Sequence, residues 1–301
     1  MLASEQLVAS EMFIRPRLGS DRLLLPRGRR DAVAGLALLG PSRKVAQLAS
    51  TAFSGLIQLG GTRLAGRSVA RLPELIGPAL PEVVDAVLKV VGPATGVAIA
   101  VPRQADRQRA VVLVLRNGIP RAFIKLNKAS EELDRERMAL EALSGSASCV
   151  RIPRVIGSGS VAGISWIATD AMSSARSEPL AELPNGWRRG REFEELESLL
   201  GERADPGWIP LHGDLAPWNL RRSGGETWLL DWEDFAWGPS GADEAYFHAT
   251  ASVVCGAAVV GCDPAVARYW QENLSKRTVA DGEAEFLKNL SATLDQMTEA
   301  G

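Results

Sequence analysis

The chain of 301 residues has no uninterrupted apolar run of about 20 residues, the length a helix needs to cross a bilayer. Its nearest approach, Ala249 to Cys262, is short and rich in Ala, Val and Gly, the pattern of a buried core helix. Glu5 and Glu11 stand where a secretion signal would carry a basic start and an apolar middle, so export is not expected. Cysteine is scarce. Cys149, Cys255 and Cys262 make an odd set without metal-ligand spacing, which predicts reduced core thiols in a cytoplasmic protein. Internal repeats and low-complexity tracts are absent. So is a basic stripe with interleaved aromatics on the main domain, which a nucleic-acid binder needs.

What is present is ordinary for a globular protein: 46% apolar and 23% charged residues. The length suggests two domains or lobes. The net charge of −2 conceals an asymmetry. Residues 1–80 hold eleven Lys/Arg against five Asp/Glu, and residues 178–301 hold ten against twenty-two. An acidic second half fits a cationic small-molecule acceptor drawn in by the local field, or acidic surface helices that keep the protein soluble.

The chemistry concentrates in Leu-His-Gly-Asp-Leu-Ala-Pro-Trp-Asn-Leu (211–220) and in Trp-Leu-Leu-Asp-Trp-Glu-Asp (228–234). Protein kinases place a catalytic Asp five positions before a metal-binding Asn and bring a second metal-binding Asp from a later strand. Asp214, Asn219 and Asp231 reproduce that order and offset. Phosphoryl transfer asks for in-line positioning and charge neutralisation. Asn219 and Asp231 offer the oxygen ligands that Mg²⁺ prefers. Asp214 is then left to orient an acceptor hydroxyl and take its proton.

With Gly213 in place of the Arg of the protein-kinase triplet, this constellation resembles the aminoglycoside phosphotransferase and choline kinase family. The resemblance covers roughly residues 90 to 250 and leaves residues 1–80 outside. It implies an α+β, protein-kinase-like two-lobed fold: an N-lobe of antiparallel sheet plus helix and a mainly helical C-lobe. Ahead of both, outside the resemblance, the residues themselves suggest an N-terminal helical extension. The expected division is 1–85 for the extension, 86–172 for the N-lobe and 173–301 for the C-lobe. It also implies Mg²⁺, with ATP or less readily GTP as co-substrate, and an aminoglycoside-, amino-alcohol- or sugar-like acceptor.

In the N-lobe, Val97–Val101, Ala110–Leu115 and Ala122–Leu126 read as strands, the last two joined by the turn Asn117-Gly118. Lys125 falls on the face opposite the stripe Ala122, Ile124 and Leu126. In the helix Glu131–Leu143, Glu136 sits on the inward stripe of Leu133, Leu140 and Leu143 and therefore needs a cation. Lys125 is the natural partner, in the order of the kinase Lys–Glu pair that holds the α/β-phosphates. The loop Pro102–Arg109 has no glycine, so tight backbone cradling of phosphate is not expected. Arg103 and Arg107, with Arg109, are charged substitutes, or the loop is a solvated basic turn. Residues Arg154–Gly157 and Gly163–Ala168 read as further strands before the Ser-rich stretch 173–179, where the lobes should join. By resemblance, the adenine edge would bond to backbone groups at Asp170, Ala171 and Met172.

In the C-lobe, helices are expected at 191–202, 242–260, 264–277 and 281–297, and a hairpin around Ser223–Glu226. Asp231-Trp232-Glu233 lacks the pliable Gly of a switching activation segment. His212 reads as an organiser of the loop, Trp218 as core packing or else a stacking surface for a sugar ring or ammonium, and Asp243 as a scaffold aspartate capping the next helix. In residues 1–80 an amphipathic helix over Ser42–Leu59, with Val45, Leu48, Ala49, Phe53 and Leu56 inward, could cover the N-lobe, which is the favoured reading, pair two subunits, or lie on an anionic membrane surface. The expectation is a phosphotransferase acting on a small-molecule hydroxyl. The alternative is a nucleotide-binding pseudokinase serving as an interaction module. Oligomeric state is not fixed by these patterns.

Overall fold

The computed structural model describes the chain apart from residues 1–3, 10–11, 17–22, 40–43, 63–65, 70–71, 73–76, 102–108, 145–148, 173–177, 188–192, 204, 277–282 and 301, and describes only the backbone of residues 44–51. By internal contacts the chain falls into two units, Met1–Arg137 with Pro153–Ser177, and Met138–Ile152 with Glu178–Gly301. Among the described residues no helix is long and apolar enough to cross a membrane.

The first unit is built on an antiparallel sheet, of which eight strands lie among the described residues. Across it lie β3 (Gly66–Ser68), β1 (Phe13–Pro16), β2 (Leu23–Pro26), β4 (Gly96–Ala100), β5 (Arg109–Arg116), β6 (Ile119–Asn127), β8 (Ile164–Asp170) and β7 (Val155–Val161). Asn117 and Gly118 both take positive φ, 54° and 83°, which matches the turn's twist to that of β5 and β6. Along β6, Ala122, Ile124 and Leu126 are buried while Phe123 and Lys125 are half-buried, the alternation expected of a strand with one core face. Helix α4 (Leu80–Val91) lays Leu80, Val83, Val84 and Val87 into the same core as Phe13, Val97, Val112 and Ile124. Helix α5 (Ser130–Ala142) follows β6 and buries Leu133, Leu140 and Glu136, with Leu143 just beyond it.

The reading of residues 1–85 as helical is corrected. Helices α1 (Ser4–Leu7), α2 (Arg29–Leu39) and α3 (Lys44–Gly60) are there, but so are β1, β2 and β3. Strand β2 joins the main sheet through Leu23↔Ala100 and Leu24↔Ile99. A short apolar run such as Leu23–Leu25 carries no period that separates a buried strand from a helical turn. Helix α2 is tied to the β5–β6 turn by the buried Asp31, which accepts from Thr95 Oγ1 at 2.7 Å and from the Gly118 N–H at 2.5 Å. In α3 the expected stripe shifts by one residue. Phe53 and Ile57, four apart, are buried, whereas Leu56 is 51% exposed. Side chains of Val45, Leu48 and Ala49 lie outside the described residues.

Among the described residues, the second unit shows two small sheets and the α-helices that follow them. Strand β10 (Trp208–Leu211) pairs with β13 (Ala236–Pro239), so Leu211 faces Ala236 at the base of the segment between them. Within that segment β11 (Leu220–Ser223) and β12 (Glu226–Leu229) form the expected hairpin, and β9 (Glu178–Pro179) extends it beyond β11. Helices α6 (Ala242–Cys255), α7 (Pro264–Ser275) and α8 (Ala284–Ala300) share a core of Tyr246, Trp270, Leu290, Leu294 and Met297. Helix α6 stops at Cys255 rather than 260 because Gly256 turns left-handed at φ 71° and bonds back to the Ser252 carbonyl. Helix α7 starts where Asp263 caps it, accepting from Ala265 N–H at 2.7 Å ahead of Pro264. In place of a helix over 191–202, the described residues show a 3₁₀ helix, Glu194–Ser198, with Phe193 and Leu196 buried three apart. The three cysteines form no disulfide, and each is half-buried rather than in a core.

Candidate functional site

In the first unit, β6 turns Lys125 away from the aliphatic face, and α5 turns Glu136 inward. Lys125 Nζ lies 2.7 Å from each carboxylate oxygen of Glu136. Glu136 is buried and Lys125 is 27% exposed in its side chain, so one end of the pair remains open to solvent. Asp170, at the end of β8, accepts from the Arg154 N–H at 2.7 Å through Oδ1 and donates its own N–H to the Arg154 carbonyl at 2.9 Å. Both bonds pin the backbone just before Ala171 and Met172, and Met172 is buried. Arg103 and Arg107 lie outside the described residues.

In the second unit, His212, Gly213, Asp214 and Asn219 form one hydrogen-bonded loop between β10 and β11. Asn219 Nδ2 donates to Asp214 Oδ2 at 2.8 Å and to the Asp214 carbonyl at 2.9 Å. The short turn is closed by Asn219 N–H and Leu220 N–H on the Ala216 carbonyl. With both amide protons directed at Asp214, Asn219 Oδ1 is the atom left to act as a ligand.

His212 has both ring nitrogens committed. Its Nδ1 accepts from the Asp214 N–H at 3.2 Å, so the ring proton is on Nε2, which donates to the Leu230 carbonyl at 3.0 Å. Fully buried and tilted over Trp232 at 4.5 Å between ring centroids, His212 is an organiser of the loop, as expected, and not a base. The Leu230 N–H in turn donates to the Asn219 carbonyl at 2.9 Å. Leu230, the residue just before Asp231, is therefore clamped through its carbonyl by His212 and through its N–H by Asn219. Asp231 itself takes a left-handed backbone, φ 68°, uncommon for a residue with a side chain and tolerated best by Asn and Asp.

Gly213 is required sterically. Its φ is 82°, and a Cβ there would overlap the Asp234 carbonyl. The loop and the 231–234 segment thus pack backbone to backbone, which no Arg at this position would allow. Trp232 fills the space behind them, buried, with Nε1 on the Leu229 carbonyl at 3.2 Å and its ring edge-on to Phe193.

Asp243 is a scaffold residue, but it does not cap α6, whose N-cap is Gly241. Its two oxygens reach back to the loop and accept from the His212 N–H at 2.6 Å and the Gly213 N–H at 3.1 Å. Burial pushes the Asp243 carboxyl up to about 7, the two N–H donors pull against this, and Glu244 and Asp214 push the same way as burial. Next to it, Glu244 is buried and accepts from Trp187 Nε1 at 3.2 Å. Trp218 packs at the margin of the helical core, edge-on to Phe286. Two features escaped the sequence reading: the Leu230 peptide as clamp and the partners of Asp243. The first has no side-chain signature. The second was signalled only by an aspartate already inside its helix, two residues past the position of the cap.

The sequence model of the phosphotransferase enzyme family matches residues 170–281, which takes in the whole of this loop, the hairpin and Asp243. The family resemblance read from the motifs is borne out over that segment. No curated protein matches the chain. Among solved structures, a putative fructosamine-3-kinase from Haemophilus somnus is 13% identical, with 72% of this chain and 96% of that one covered and a TM-score of 0.41. The GDP complex of an aminoglycoside 2'-phosphotransferase is 15% identical, covering 67% and 90%, with a TM-score of 0.39. An amicoumacin kinase in complex with AMP-PNP and Ca²⁺ is 11% identical, covering 72% and 76%, with a TM-score of 0.37.

Proposed function

We propose that this chain, whose residues 170–281 match the sequence model of the phosphotransferase enzyme family, transfers the γ-phosphoryl group of ATP to a hydroxyl of a small molecule. The observation that carries the reading is the pairing of Asn219 with Asp214, held next to Asp231 through the Leu230 peptide. This is a base beside a ligand amide, with a second ligand carboxylate on a backbone fixed to both.

In the proposed step the acceptor oxygen forms a bond to the γ-phosphorus as the bond to the β–γ bridging oxygen breaks, and ADP leaves. Asp214 receives the acceptor's proton, its carboxylate plane fixed by the Asn219 amide. Asn219 Oδ1 and the Asp231 carboxylate are hard oxygen donors that suit Mg²⁺, which when bound neutralises charge on the nucleotide phosphates. Lys125, steadied by Glu136, would pair with the α- and β-phosphates, and the backbone at Asp170, Ala171 and Met172 would meet the adenine edge. An alcohol on an aminoglycoside-, amino-alcohol- or sugar-like molecule is the acceptor class. ATP is the donor we favour over GTP.

The test is purified protein incubated with Mg·ATP and a panel of such alcohols, with mass detection of an added phosphoryl group. A phosphorylated alcohol supports the proposal. Nucleotide-dependent thermal stabilisation without any phosphorylated product across the panel would instead favour a nucleotide-binding pseudokinase.

A further inference from the structure

Two arginines oppose each other on the outer strands of the sheet in the first unit. Arg15 of β1 stands directly across from Arg67 of β3, between the pairs Ile14↔Ser68 and Pro16↔Gly66. Residues so placed project from the same face with Cβ atoms about 5 Å apart, and like charges in such a pair repel. Nearby Arg27 is already engaged, its Nη2 donating to Ser68 Oγ at 3.1 Å. Arg15 and Arg67 have no hydrogen-bond or ion-pair partner among the described residues.

Arg15 is also not a freely solvated side chain. It lies two residues from Phe13, on the face that Phe13 buries in the core, and its Nε is shielded from solvent with no acceptor. A buried N–H without an acceptor is unfavourable, and a guanidinium so placed calls for an anion.

We propose that Arg15 and Arg67 together form an anion site for a phosphate group, as inorganic phosphate or a phosphomonoester. Two guanidinium forks can share one tetrahedral oxyanion through paired charge-assisted hydrogen bonds. The anion cancels the repulsion across the strands and supplies the acceptor that Arg15 Nε lacks. The excess of eleven basic over five acidic residues in 1–80 favours anions in this region. The site is distinct from the proposed nucleotide contacts. Strands β2, β4 and β5 separate β1 from the Lys125 strand β6, a span of about 19 Å at the usual strand spacing.

The test is titration of inorganic phosphate into the full chain at ionic strength held constant with chloride, with Arg15→Gln and Arg67→Gln alongside. Each substitution is expected to weaken phosphate binding by about tenfold or more, the effect of losing one charge-assisted hydrogen bond, and to leave Mg·ATP binding unchanged. Should Arg15→Gln not fold, the exposed Arg67 still carries the comparison. A second arm measures co-sedimentation with phosphatidate vesicles against phosphatidylcholine vesicles. Binding there that Arg67→Gln abolishes, without binding of free phosphate, assigns the phosphate group to a lipid headgroup. The proposal is overturned if the wild type binds neither probe, or if both variants bind as the wild type does.

Discussion

Both protons of the Asn219 side-chain amide end on Asp214, one set of contacts at 2.8 Å on Oδ2 and the other at 2.9 Å on the main-chain oxygen. The amide therefore has a polarity that a carboxylate cannot copy. Asn219→Asp keeps the shape and an oxygen ligand but faces one carboxylate with another. The turnover number is expected to fall by about 10²-fold or more, comparable to losing one preorganised donor. The Mg²⁺ concentration needed for half-maximal rate should also rise. Unchanged turnover and metal dependence in a steady-state assay would show that the contact has no catalytic use.

Asp214 is proposed to act on the acceptor and not on the nucleotide. Asp214→Asn should then lower turnover by about 10²- to 10⁴-fold, the usual contribution of a general base, while nucleotide still raises the melting temperature as in the wild type. If phosphorylation proceeds at the wild-type rate, the base is another group.

The Lys125–Glu136 pair separates stability from function. Lys125→Met leaves a buried carboxylate without its cation, a loss of about 3 kcal/mol, the low end for a buried pair because Lys125 is partly open to solvent. Replacing both residues, as Lys125→Met with Glu136→Leu, should recover most of that stability because no charge is left stranded. It should not recover the KM for ATP. Denaturant melts and initial-rate kinetics on the two variants decide the matter: recovery of both properties together would make the pair purely structural.

What was legible in the sequence was local. Asn117-Gly118 between β-type runs announced its hairpin, and Glu136 on a leucine stripe announced its need for a cation eleven residues away. Asp214 and Asn219 were legible because five residues span one turn. What was not legible depends on contacts between distant parts of the chain. Asp31 meets Gly118, 87 positions later, and nothing near either residue encodes the other. Leu23–Leu25 became a strand because the edge of β4 was there to receive it. Asp243 was read as a cap because its own helix was the only partner in view, whereas its real partners lie 30 and 31 residues earlier.

Asp243 makes a pH prediction whose sign can be worked out. Its folded value of about 7 lies above the ordinary 3.8, so between those limits the native state holds a proton that the unfolded chain has released. Stability then falls as pH rises through this window, by at most about 1.4 kcal/mol per pH unit from this group. The contribution is complete below the unfolded value and lost above the folded one. In urea melts across the window, Asp243→Asn should show a flatter dependence than the wild type. Parallel curves for the two proteins would mean that the two N–H bonds from His212 and Gly213 hold the carboxylate ionised throughout.

Gly213 offers the sharpest steric test of how the loop and the 231–234 segment are joined. A methyl group at this position meets the Asp234 carbonyl and must also sit at φ 82°, which a residue with a side chain adopts only at a cost. Gly213→Ala should therefore destabilise the fold by about 1–3 kcal/mol. Its larger effect falls on turnover, because relief of the overlap moves the segment carrying Asp231 away from the loop carrying Asp214. Nucleotide-induced stabilisation should weaken with it, unlike in Asp214→Asn. Retained turnover with lowered stability would mean that the overlap relaxes on the far side of Asp234, leaving Asp231 where the Leu230 peptide holds it.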